Sequence, residues 1–121
     1  MFLSATQLDA QVFKWVHPSV GGVCTTDEYG NVFTVGYLNS ATDFDPGPGI
    51  NILTPVSASG PDFFIMKQDS AGNLKWAKQI GNPYIDQFPN FAGIFSVTVD
   101  RQGYIYASGN FYDSIDFDPG P

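Results

Sequence analysis

Apolar residues in this chain come in short runs, several of them alternating with polar positions, and Gly, Pro, Asn and Asp collect between the runs. Alternation over such lengths marks half-buried strands, and no run keeps a helical period for three turns. The pattern predicts strands at Val20 to Thr26, Val32 to Leu38, Phe63 to Gln68 and Leu74 to Ile80. Further strands are expected at Val12 to His17, Ile94 to Val99 and Tyr104 to Phe111. Within Phe95 to Val99, Phe95, Val97 and Val99 should share one face.

Three of the intervening segments have the form Asp-x-x-Gly: Asp27 to Gly30, Asp69 to Gly72 and Asp100 to Gly103. An Asp carboxylate can accept from backbone amides just ahead of it, and a Gly can take positive φ, so each segment reads as a hairpin turn. The stretches from Gly47 to Pro61 and from Gly81 to Phe91, both containing proline, read as loops.

The strands are not independent of one another in sequence. Shifting the chain by 73 residues places Cys24 to Pro48 on Val97 to Pro121, with 10 of 25 positions identical, including both copies of Asp-Phe-Asp-Pro-Gly-Pro. Self-similarity at a long fixed spacing indicates stacked supersecondary units. Four antiparallel strands per unit suggest a propeller blade. The expected fold is therefore all-β, with β-propeller-like blades of four antiparallel strands: one complete blade plus partial flanking blades. Residues 20–80 form the complete blade and residues 12–19 an outer strand of a preceding or closing one. Residues 81–121 form the first half of the next blade with an inserted loop. Residues 1–11 are either a remnant of a signal peptide or part of an outer strand, since Met1 to Gln11 has small residues near Ala10 but no basic start.

Charge narrows the partners. Twelve acidic against five basic residues give a net charge of -7, which supplies no Lys/Arg stripe for nucleic acid or anionic membrane. No apolar run is long enough for a membrane span. Cys24 is the one cysteine, so no internal disulfide can form, and its alignment with Val97 favours a small buried hydrophobe.

The segments Gly30 to Tyr37, Asp43 to Gly47, Asp62 to Lys67 and Gly72 to Lys78, with their Asp-Phe-Asp-Pro-Gly and Asn-Leu-Lys-Trp-Ala-Lys elements, resemble the SBBP-type β-propeller repeat. The resemblance covers about Val12 to Pro121. It implies a secreted or cell-surface bacterial protein, many such proteins being exported by the type IX route, and a structural or interaction role. It supplies no catalytic set.

Candidate chemistry is sparse. Asp43 with Asp45, and Asp116 with Asp118, are the paired carboxylates that repeat. Asp-x-Asp before a Gly is the start of a calcium loop, but Pro interrupts it and no bidentate Glu follows. Turn hydrogen bonds explain the same residues without a metal. The pairs also lie at glycosidase-like spacing, yet an active centre breaks repeat symmetry and these pairs keep it. His17, the one histidine, aligns with Lys78 on an outer strand and reads as solvent-facing. Trp15 and Trp76 are expected to pack between blades. Tyr84, Phe88 and Phe91 lie in a loop with no counterpart in the first unit, which makes them the first candidates for ligand contact.

These readings favour a non-catalytic propeller segment serving as scaffold or adhesion/binding module, with no cofactor beyond the calcium candidate. The expected partners are further blades of the same full-length protein and a protein or carbohydrate ligand, and the isolated segment should self-associate through unpaired strand edges. The alternative is a piece of a polysaccharide-active propeller enzyme whose catalytic residues lie outside this chain.

Overall fold

The computed structural model describes residues 22–56, 61–81 and 93–110. These residues are all-β and contain no helix. Eight strands follow in order: β1 Gly22–Thr26, β2 Val32–Leu38, β3 Thr42–Asp43, β4 Ile52–Leu53, β5 Asp62–Gln68, β6 Leu74–Ile80, β7 Gly93–Val99 and β8 Ile105–Asn110. β1, β2, β5 and β6 make one antiparallel four-stranded sheet in that order, while β3–β4 and β7–β8 are separate two-stranded sheets. The predicted strand Val12 to His17 lies outside the described residues, as do Trp15 and His17.

All three Asp-x-x-Gly segments are hairpin turns of one design. In each, the Gly amide donates to the Asp carbonyl, and the Asp amide donates to the carbonyl of the residue after the Gly. Gly30, Gly72 and Gly103 have φ of 79°, 88° and 87°, a conformation that costs any residue with a Cβ. This pairing belongs to the three-residue hairpin that closes on a glycine bulge. A Cβ added at Gly30 would come within 3.3 Å of the Ser70 Cβ, so the first two turns sit side by side at one end of the sheet.

Residues opposite one another in a ladder share a face, so the register sorts the sheet. One face carries Leu38, Phe64, Met66 and Ala77, all buried, with Phe44, Leu53 and Leu74 packed on them. The Phe44 ring stands 4.8 Å from that of Phe64. This explains why β3 forms ahead of the Gly47-to-Pro61 region expected to be loop and β4 within it: the short hairpin carries Phe44 and Leu53 onto the sheet. The other face carries Phe33 and Val35, exposed by only 2% and 1%, with Trp76 edge-on to Phe33 and Tyr37 against Phe63. β7 lies against β1 and β2 and is the described element nearest them outside their own sheet.

Two sequence expectations fail here. Cys24 is exposed, whereas its repeat counterpart Val97 is buried. β1 is an edge strand, so Cys24 lies at the margin of its sheet, whereas β7 is pressed against the first sheet. Phe95 does not share the buried face with Val97 but is 64% exposed. The register of β7–β8 skips a residue between Ile94 and Ser96, which makes Phe95 the extra residue of a bulge. At the equivalent place in β1 stands Gly22, where an added Cβ would collide with the Val35 carbonyl oxygen. A side chain at that position cannot keep the regular ladder, so the second unit bulges where the first has glycine.

Candidate functional site

The Asp-Phe-Asp-Pro-Gly-Pro segment is held by its own carboxylates. Asp43 Oδ1 accepts from the amides of Asp45 at 3.0 Å and Asn51 at 2.9 Å, and Asp45 Oδ1 accepts from the Gly47 amide at 2.7 Å. The Phe44 amide donates to the Asn51 carbonyl, so the chain returns on itself just where Phe44 must enter the core. The amides of Asn51 and Asp45 hold the Asp43 carboxyl below its ordinary pKa. Both carboxylates therefore have a structural use: they favour the loop that delivers Phe44. Asp116 and Asp118 lie outside the described residues, as do Tyr84, Phe88 and Phe91. Among the described residues, no group of three or more His, Cys, Asp and Glu is placed to hold a metal ion.

The hairpin aspartates follow the same logic. Oδ1 of Asp27, Asp69 and Asp100 each accepts two backbone amides ahead of it, at 2.9–3.0 Å. Their second oxygens meet different groups: the Asn31 side chain at Asp27, Asn73 and Lys75 at Asp69, and the Tyr106 hydroxyl at Asp100. Lys75 stands 2.9 Å from Asp69 and is the largest single influence on its titration, yet its side chain is 52% exposed, so solvent screening keeps the pair's contribution to stability small. The two amide bonds common to all three turns explain why Asp recurs there.

These bonds make stability depend on pH. Asp69 is held well below the usual carboxylate range, chiefly by Lys75 and then by Asn73. At Asp27 partial desolvation pushes the other way, but the Asn31 side chain and the amides of Asn31 and Tyr29 outweigh it, and the net shift is downward. Depressed folded-state values stabilise fully above the unfolded-state pKa of about 3.9, and that contribution is lost as pH falls through the lower folded values. Urea midpoints should therefore fall steadily from about pH 5 downward, and Asp69→Asn should flatten that acid limb. An unchanged slope in the variant would show that the Asp69 bonds do not contribute. Tyr106 shifts upward because its hydroxyl donates to the charged Asp100 beside it.

One buried carboxylate escaped the sequence reading. Asp62 opens β5 on the core side of the sheet and is 2% exposed. Its Oδ2 accepts from the Val56 amide at 2.6 Å and from the Gln79 side chain, whose Nε2 also donates to the Thr54 carbonyl at 2.8 Å. Oδ1 is buried without a hydrogen-bond partner among the described residues. Gly81 closes the cradle, since a Cβ there would come within 2.9 Å of Oδ2. An Asp before an apolar run looks like any strand start, and only the pairing of β5 with β6 brings Gln79 to it. The cluster ties β5 and β6 to the segment after β4.

The described carboxylates thus serve turns and a buried clasp, and no nucleophile, base and orienting group converge among the described residues. No described helix is long and apolar enough to cross a membrane. Compared with models of known families, with curated proteins and with solved structures, the chain matches none of them.

Proposed function

We propose that this chain is a non-catalytic segment of stacked four-stranded β units, blades of a propeller, which serves as scaffold or adhesion/binding module. The observation that carries the reading is the position of β7. By the 73-residue repeat, β7 is to β8 what β1 is to β2, and β7 lies against β1 and β2. Successive units packed face to face, each burying the apolar face of the one before, are what a repeat architecture requires. The four-stranded antiparallel order β1-β2-β5-β6 supports this reading, since propeller blades are four-stranded sheets. The resemblance to the SBBP-type repeat supports a secreted or cell-surface bacterial setting, and the net charge of -7 supports partners other than nucleic acid.

The test is to lengthen the repeat. Pro121 corresponds to Pro48, so a copy of residues 49–80 appended after Pro121 continues the repeat in register. The extended chain should melt higher by about 5 °C or more and run as a monomer on size exclusion, because new strands cover exposed edge and face together. Equal melting and equal association of the two chains would refute stacked units.

A further inference from the structure

We infer that the corner of the second unit around Phe95 is a binding site for a neutral carbohydrate, a β-linked hexopyranose chain that lays one sugar ring on the phenyl group. The inference deepens the binding-module reading above and rests on it.

A binding place in a repeat protein is found where the repeat is broken, and β7–β8 breaks it at one corner. In the first unit Val23 stands opposite Val35, which is 1% exposed, and Tyr37 follows on the same face. The residues 73 positions on are Ser96, Ser108 and Asn110, and the register again sets Ser96 opposite Ser108. Nearer the turn the exchange keeps its apolar character, with Ile105 for Val32 and Tyr106 for Phe33. Gly22 gives way to Phe95, the bulged residue, which stands between the Ile94–Gly109 and Ser96–Ser108 pairs and is 64% exposed. Bulges re-aim side chains, and they gather next to functional sites.

What marks the corner is the identity of its side chains more than their exposure. A dry contact of the kind that seals Val35 would bury the Ser96 and Ser108 hydroxyls, at about 1–3 kcal/mol for each one left unpaired. The corner therefore suits a polar, hydrated partner. Residues 93–98 and 107–110 include no ionisable side chain, although the chain carries a net charge of -7, so that partner is uncharged. An aromatic ring beside two hydroxyls and a carboxamide matches a pyranose in both of its parts. The C–H face of the sugar lies on the ring, and its hydroxyls exchange hydrogen bonds with Ser96, Ser108 and Asn110. Hexopyranoses joined by β-linkages, with their substituents equatorial, present the flattest face of this kind.

The probe is cellotetraose, titrated into the full 121-residue chain and followed by amide NMR shifts. Shifts should centre on residues 94–96 and 108–110 and half-saturate at about 1 mM, the weak affinity that one platform with few polar contacts allows. Phe95→Ala should weaken binding about tenfold or more, while Phe95→Trp should keep it. Ser108→Val, which restores the residue of the first unit, should weaken it about threefold through a lost hydrogen bond. No shift at these amides at about ten times the half-saturating concentration would overturn the site, as would equal shifts with glycerol. Unchanged affinity in Phe95→Ala, with the rest of the spectrum intact, would overturn it too. So would shifts there that follow protein concentration without sugar, because they assign the corner to a second copy. The two readings fail separately. If the free chain shows no cross-strand contact between Ser96 and Ser108, the β7–β8 unit itself is wrong; if that contact is present and the sugar changes nothing, only the carbohydrate site is lost.

Discussion

Phe64→Ala is expected to remove about 3–5 kcal/mol of stability, a large share of the total for a chain of this size. Phe64 is fully buried and sits in the central strand β5, where it joins Leu38, Met66 and Ala77 from the sheet to Phe44 from the hairpin that caps it. Truncation deletes the ring and also removes the aromatic partner that stands 4.8 Å from Phe44. Collapse into the gap is limited because the β3–β4 hairpin is held by the Asp43 bonds. Urea denaturation followed by near-ultraviolet circular dichroism reads the effect. Tyr29→Ala, at a turn residue 75% exposed, should change the midpoint little. A loss below about 1 kcal/mol for Phe64→Ala would mean that the cap does not pack as described.

Asp62→Ala should be the second most damaging change, at about 2–4 kcal/mol, because it leaves the Val56 amide and one Gln79 donor without their acceptor in a buried place. Asp62→Asn separates charge from hydrogen bonding. It keeps one acceptor oxygen and gives the opposite side an N–H₂ in place of the unpartnered Oδ1, so it should cost clearly less than the alanine change. Equal losses in the two variants would show that the negative charge itself, and not the hydrogen-bonded clasp, stabilises the junction of β5 and β6.

Much of this arrangement was legible in the sequence, for local reasons. Strands β2 and β6 begin and end where alternation places them, and β5 starts one residue earlier. The three Asp-x-x-Gly turns form because the Asp carboxylate and the Gly backbone act within five residues of one another. What stayed hidden depends on contacts between distant segments. The β3–β4 hairpin has only two residues per strand, too few for any periodicity, and forms because Phe44 and Leu53 reach the sheet. The exposure of Phe95 comes from a bulge opposite β8, and that of Cys24 from its place on an edge strand. Asp62 looks like a strand start until its partner Gln79 arrives from β6. Of the candidate site residues, Asp43 and Asp45 are placed in a loop that their own carboxylates hold together.

The stacking of one unit on the next can be measured with the protein's own cysteine. Cys24 is exposed on β1, it is the one thiol in the chain, and a nitroxide can be attached to it without any substitution. Because β7 lies against β1, the label should broaden the amide signals of Gly93–Val99 at least as strongly as those of β6, which is three strands away across the sheet. Strong broadening of β7 is the result that stacked units predict. Sharp β7 signals, with broadening confined to β2 and the adjoining turns, would contradict them.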